Sequence, residues 1–443
     1  MLAFRVGIAS PLTLSRIKIL SNTETPEDTA QLGGRRAWFI WSLAALAFGY
    51  AFFHRVAPSV MVSDLMSEFA ISGAMLGTLS ALYFYPYVLL QIPLGAILDV
   101  VGTRVILTAA LSIAALGSVL FGSANTIEVA YIGRVLIGIG SSVGFLGALT
   151  LAGRWFPIRK FALLSGLTMF VAMMSGMLAQ APLAIFVSQF GWRSSMWGLG
   201  IFGGLLAFLA YTFVRNGPEN RKVEEKKEDI WRNMWRGLAR AASSREVWKI
   251  ALVAATMSAP MLTIGGLWGT PYLMSAYGLE RPEAAFYMSL MLFGWAFGAP
   301  FTGWLSDYIG HRKALLVGGS GILTLTLGVI VFVPNIPLWL TVSLFVTAGA
   351  SGSAMATTFA LVREVAPADI SGSVVGIVNS MTVASGAVLQ PLVGVFLDVR
   401  WDGSLSEGAR IYAESDFRWS FAIVFASAFV GFITCLNLKG GTK

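Results

Sequence analysis

From Trp38 to Leu438 the chain alternates long apolar runs with short polar breaks. A bilayer core about 30 Å thick is crossed by about 20 apolar residues in a helix, so each run predicts a membrane span. Twelve are expected, at residues 37–62, 75–98, 104–123, 127–152, 160–187, 193–214, 247–276, 284–305, 313–333, 337–361, 371–397 and 419–438. The expected fold is therefore all-α, with twelve transmembrane helices. Composition agrees: of 443 residues, 56% are hydrophobic and 12% charged, where a soluble domain carries about a quarter charged.

A net charge of +8 suggests nucleic acid only until the basic residues are placed. With the N-terminus cytoplasmic, 24 of the 31 Lys and Arg fall on the inner side, as the positive-inside rule requires. Outer segments hold Arg193, Arg281, Arg400, Arg410 and Arg418, while Arg55 and Arg134 lie within spans. Both termini are thus expected in the cytoplasm, no nucleic-acid partner is needed, and a bacterial inner (plasma) membrane is the expected location. Residues 1–36 are basic at the start and lack the uninterrupted apolar core of a secretory signal, so they read as a cytoplasmic tail.

The long inner connection, 215–246, splits the spans six and six. Its stretch NGPENRKVEEKKED is too charged to build a core. Beyond it, Trp231, Trp235 and Leu238 share one helical face with Arg232, Arg236 and Arg240 elsewhere, which predicts a basic amphipathic helix on the membrane surface. The expected organisation is a tail (1–36), a six-helix bundle (37–214), this linker, a second bundle (247–438) and a short tail (439–443).

The two bundles share motifs. GAILDVVGTR, Gly95 to Arg104, follows span 2, and GWLSDYIGHR, Gly303 to Arg312, follows span 8. Both place Gly, Asp, Gly and Arg at the same relative positions, 208 residues apart, and SGMLAQ (175–180) recurs as SGAVLQ (385–390) at an offset of 210. Matching positions in two sets of six predict parallel structural repeats.

Chemistry is restricted by what is scarce. One cysteine, Cys435, and two histidines leave no disulfide, no multi-cysteine metal site and no Ser-His-Asp or HExxH cluster. The glycine-rich GIGSSVGFLGA lies within span 4 and lacks a phosphate-loop lysine. No cofactor or metal is expected, and the chain does not read as an enzyme. Arg55 stands out, because a charge inside the bilayer costs about 2.5–3.5 kcal/mol on insertion scales and normally faces a cavity or a partner. Its planar fork suits a carboxylate or phosphate; the alternatives are pairing with Asp64 or Glu68, or snorkelling. His54 points about 100° away on a helix and either titrates as a coupling group or packs. Tyr83, Tyr87 and Gln91 recur every four residues on one face, lining a cavity or packing between helices; Gln180, its repeat-mate Gln390, and Asn379 carry the same two readings.

With these motifs the sequence resembles the major facilitator superfamily of secondary transporters from Trp38 to Leu438. The family's loop signature, G-x-x-x-D-x-x-G-x-[RK], is met by Gly95, Asp99, Gly102 and Arg104, and by Gly303, Asp307, Gly310 and Arg312, with Lys313 alongside. The resemblance implies that these residues gate the carrier from the inner side, each Asp facing a helix N-terminus and pairing with its Arg. RVLIG, Arg134 to Gly138, resembles a further family motif but has Ile137 where Gln is frequent. GYAFFHRVAPSV resembles span 1 of the organic-anion and organophosphate branches, which place an Arg there for the anion. The organophosphate exchangers resemble a two-arginine clamp with its second member in span 7, and span 7 here is uncharged. One cation then implies one negative charge on the substrate: a carboxylate, amino acid or short peptide. Trp268 and Tyr272 lie beside Gly265, Gly266, Gly269 and Pro271, where the family breaks span 7 to close the outer gate. The expected function is a monomeric, proton- or ion-coupled carrier working by alternating access. Multidrug efflux and a ligand sensor on the same fold are the alternatives; efflux expects a mid-span carboxylate that the first half lacks.

Overall fold

The computed structural model describes residues 32–218, 227–367 and 370–438, so most of the expected tail 1–36, the segment 219–226 and the tail 439–443 lie outside the described residues. The first group of helices comprises α1 (Arg35–Val56), α2 (Val62–Phe69), α3 (Gly73–Ala81), α4 (Phe84–Val101), α5 (Thr103–Gly122), α6 (Ile127–Ser141), α7 (Gly144–Trp155), α8 (Phe161–Leu178) and α9 (Ala181–Phe213). The connection contributes α10 (Lys227–Ala242). The second group comprises α11 (Arg245–Pro260), α12 (Gly269–Tyr277), α13 (Arg281–Ile309), α14 (Arg312–Phe332), α15 (Leu338–Gly352), α16 (Thr357–Val365), α17 (Ser371–Arg400) and α18 (Glu414–Leu436). A two-stranded hairpin, β1 (Leu405–Ser406) with antiparallel β2 (Ala409–Arg410), stands between α17 and α18.

Among the described residues, eleven stretches are long and apolar enough to cross a membrane. One of them, Ile158–Phe213, has 56 residues, about 84 Å of helix at 1.5 Å per residue. It is interrupted at Gln180, which precedes α9 with non-helical backbone, and at Gly191, whose φ of 80° and ψ of 162° no helix contains. Gly191 lies in the break expected between residues 187 and 193.

Other breaks have local causes. Pro58 lies in the 3₁₀ turn Ala57–Val60 that ends α1, and the segment expected to bend, around Gly265 and Gly266, is π-helical over Met261–Trp268. Gly102 and Gly310, the third conserved position of the two loop motifs, have φ of +93° and +69°. Glycine takes those angles without strain, which accounts for its place in both motifs. In α10, Ala241 is fully buried and Trp235 is 57% exposed, so the helix packs by its small residues and turns that tryptophan outward.

The two groups meet along two seams, α17 against α3 and α4, and α13 against α8 and α9. Glycines permit the first. A Cβ at Gly77 would stand 2.5 Å from the Gln390 carbonyl oxygen and 2.7 Å from Pro391 Cα, and one at Gly394 would stand 2.2 Å from the Gly73 carbonyl oxygen. Main chains there touch with no room for a side chain. Gly77→Leu is therefore expected to lose about 1–3 kcal/mol to overpacking, seen as a lower melting temperature in detergent. Gly166→Ala, where a Cβ meets nothing within 4 Å, is expected to melt like the parent.

Candidate substrate-binding site

Arg55 is the penultimate residue of α1, and its side chain leans toward the helix start, as helical side chains do. The guanidinium carbon lies 4.9 Å from the Phe52 ring centre, 5.2 Å from Tyr87, 5.7 Å from Tyr83 and 5.8 Å from Phe84. Tyr83 and Tyr87 lie near the middle of the 26-residue stretch Gly73–Leu98, so the charge faces the middle of that stretch. Arg55 is 7% exposed, and its Nε and Nη2 are buried without a hydrogen-bond partner. Aromatic faces offset part of the cost of this burial, about 2 kcal/mol for a desolvated cation–π contact, but they do not occupy the in-plane donors.

The cage touches both groups of helices. Phe52 lies against Gly176 of α8, with Leu292 of α13 beside it, and Phe84 lies against Gly386 of α17, with Leu262 beside it. The cation is thus enclosed at the seam between the two groups.

A second arginine has the opposite surroundings. Arg134 of α6 is 1% exposed and donates to three carbonyls: Nη1 to His54 O at 3.0 Å, Nη2 to Ser80 O at 3.1 Å and Nε to Leu79 O at 3.4 Å. These carbonyls belong to the end of α1 and to the break between α3 and α4, where the regular ladder fails. Arg134 therefore fixes the main chain next to Arg55 and Tyr83, with each of its three nitrogens bonded.

The remaining candidates fall in different places. His54 is wholly buried, its ring edge-on to Tyr50 at 4.6 Å and both nitrogens unpartnered. Tyr83 donates to Ala51 O at 2.9 Å, and Gln91 donates to Ser142 O at 3.2 Å as a tie between helices. Trp268 donates to Gln390 O at 3.0 Å, and Tyr272 packs with Phe345, Phe417 and Phe421 inside the second group. Asn379 is half-buried in α17, seven residues before Gly386, about 10 Å away along the helix. Gln180 and Gln390 hold main-chain carbonyls of the π-helical segment.

Of the loop motifs, the side chains of Asp99 and Asp307 lie outside the described residues. Arg104 donates through Nε to Tyr211 O at 2.8 Å, Arg312 pairs with Glu364 at 2.8 Å, and Lys313 donates to Leu438 O at 2.7 Å. Gly95 and Gly303 lie in α4 and α13 with open space where a Cβ would stand.

Opposite those loops, one carboxylate closes the other end of the seam. Asp398 of α17 accepts from the backbone N–H of Gly73 at 2.9 Å and of Ala74 at 2.8 Å, the first residues of α3. Tyr412 donates to it at 2.6 Å and Arg410 pairs with it at 3.0 Å. Burial, then Asp398, push the Tyr412 phenol up, so it stays a donor. Arg281 pairs with Asp64 at 2.7 Å, and Arg193 with Glu68 at 2.9 Å, so the two acids weighed as partners of Arg55 are paired with other arginines. Burial pushes the Asp64 carboxyl up and Arg281 draws it partly back, whereas the bond from Arg193 holds Glu68 below its ordinary value. Of the residues not anticipated, Phe52 precedes Arg55 by a helical three, a spacing that was available. Phe84 and Asp398 gave no such signal.

The model of the Major Facilitator Superfamily matches residues 43–391 and 250–439. The chain belongs to this superfamily. It is 25% identical over 303 residues, 66% of this chain and 69% of the relative, to SauU of Cupriavidus necator, described as a probable sulfoacetate transporter. Over 440 residues, 92% of each chain, it is 22% identical to GudP of Bacillus subtilis, described as a probable galactarate/D-glucarate transporter. Its fold is similar, with a TM-score of 0.74 and 16% identity over 91% of this chain and 98% of the other, to a crystal structure of a bacterial homolog of the human lysosomal transporter Spinster in an inward-facing, unoccupied conformation. The protein is a multi-pass membrane transporter of a small molecule, and not an enzyme.

Opposite stability changes are expected at the two buried arginines. Arg55→Leu removes unpartnered buried donors and is expected to raise stability by about 1–3 kcal/mol, while Arg134→Leu strands three carbonyls and lowers it by at least as much. Thermal unfolding in one detergent checks both signs.

Proposed function

We propose that the protein carries a small organic anion or zwitterion by alternating access, with Arg55 holding its acidic group. The observation that carries this reading is the Nε–Nη2 edge of Arg55, buried at mid-depth between the two groups of helices with no partner. That edge presents two parallel N–H donors, the geometry a carboxylate or sulfonate accepts. Tyr83, Tyr87, Phe52 and Phe84 hold the fork in place and keep water from it. The sulfoacetate and glucarate in the names of the two relatives are organic acids, which supports the anion class. One caged cation matches one acidic group, so a monoanion or a zwitterion such as an amino acid or short peptide fits the count. A dianion leaves its second charge to the coupling proton or to neutral donors.

The accompanying architecture is twelve crossings in two parallel six-helix repeats, the 56-residue stretch dividing at Gly191 into two of them. Both termini and the connection carrying α10 are cytoplasmic, on the basis of the Lys and Arg distribution. Asp398, Arg281 and the hairpin then close the outer end, and the loop motifs with Arg104 and Arg312 serve the inner gate. Coupling to a proton or ion, action as a monomer, and residence in the plasma membrane, the inner membrane of a bacterium, complete the proposal.

Uptake into vesicles of a panel of monocarboxylates, dicarboxylates, sulfonates, amino acids and dipeptides tests it. For the transported acid, Arg55→Lys keeps charge but loses the fork and is expected to raise KM about tenfold, the equivalent of about 1.4 kcal/mol; Arg55→Ala abolishes uptake. Unchanged affinity in Arg55→Ala, or transport confined to cations, sinks the assignment.

A further inference from the structure

Three of the interrupted helical regions converge on one amide. Gln180 stands at the break between α8 and α9 and is completely buried. Its Oε1 accepts from Ser59 Oγ at 3.4 Å, in the 3₁₀ turn four residues past Arg55, and from Thr270 Oγ1 at 3.3 Å. Its Nε2 donates to Gly265 O at 2.9 Å, within the π-helical segment. A π turn disturbs the regular ladder and leaves carbonyls open to side-chain donors. The repeat-mate Gln390 serves the same segment from the other side, donating through Nε2 to Leu262 O at 2.7 Å.

The two glutamines differ in what they join. Gln390, Leu262 and Trp268 all belong to the second group of helices, so those bonds move together with it. Gln180 belongs to the first group, and its bonds to Gly265 and Thr270 cross the seam. A bond across the seam exists only while this end is closed; a bond within one group persists in either arrangement.

We propose that Gln180 is the positioning residue through which the Arg55 turn is coupled to the π-helical segment, making and breaking its cross-seam bonds in each transport cycle, while Gln390 is the constant anchor of that segment. An anion that draws on Arg55 shifts the turn carrying Ser59, and Ser59 shares an acceptor oxygen with Thr270 on the opposite group. The inference rests on the alternating-access reading and assigns the amide a role other than contact with substrate.

The test needs no known substrate. Val62, 8% exposed beside the closed end, is replaced by cysteine in a Cys435→Ser background, and its labelling by a membrane-impermeant maleimide is timed from outside intact cells. Gln180→Met, similar in volume and without the three bonds, is expected to speed labelling about five- to tenfold, as loss of one to two net hydrogen bonds would. Gln390→Met is expected to label at the parent rate, although it lowers the melting temperature. Should Gln180→Met not accumulate, Gln180→Asn, too short to reach Gly265 and Thr270 together, carries the same expectation. An unchanged or slower rate for the Gln180 variant, or equal acceleration in both glutamine variants, overturns the proposal. Failure of the anion assignment would show in uptake by the Arg55 variants and leave this ratio untouched.

Discussion

Inside a bilayer no water is at hand for an open N–H or C=O, so every break in a spanning helix must be closed by the protein itself. This chain breaks its helices repeatedly, at residues 57–60, 82–83, 179–180 and 261–268. Three of these have side-chain partners: Arg134 at the end of α1 and the α3–α4 break, and Gln180 and Gln390 around the π-helical segment. The rest of the bundle can be regular because these few polar side chains absorb the irregularity. Two of the breaks, at 57–60 and 82–83, adjoin Arg55 and Tyr83, so the Arg134 bonds that satisfy the main chain there also hold residues around the cation.

The contrast between Arg134 and Arg55 follows. Both are buried guanidinium groups in the first group of helices, and the ring of Tyr83 touches both. One has its donors directed at carbonyls and acts as structure; the other lies among four aromatic rings and has two donor nitrogens without a partner. Burying a charge in this incomplete way is unfavourable unless something else completes it, and in the proposed function the carried anion is the completing group. Site strength and fold stability are thereby set against each other at one residue.

Much of this was legible from the chain alone. Hydrophobic runs of bilayer length marked the helices to within a few residues, and the paired loop motifs marked glycines that now have positive φ at 102 and 310. Arg55 was identifiable because a lone charge in an apolar run is rare enough to need a reason. What pattern could not supply was partnership across the seam. The prediction of a carboxylate facing a helix N-terminus was made for Asp99 and Asp307, whereas the one seen among the described side chains is Asp398 on α3, at the other end. Nothing in its neighbourhood distinguishes Asp398 from an acid that merely ends a span, because the helix start it meets, at Gly73 and Ala74, is 324 residues or more away in sequence. Gln180 and Gln390 were found by their repetition, yet repetition gave no means of telling an amide that contacts substrate from one that braces main chain.

The Asp398 closure has an uneven vulnerability. Its acceptor is a side chain, but two of its donors are peptide N–H groups, which every residue except proline carries. At position 74, sequence drift can change almost any property of the surface without touching the bond, while at position 398 a single substitution removes it. Natural variation that loosens this closure should therefore fall at 398 and at the α3 glycines, where no side chain fits, while position 74 drifts without consequence for it.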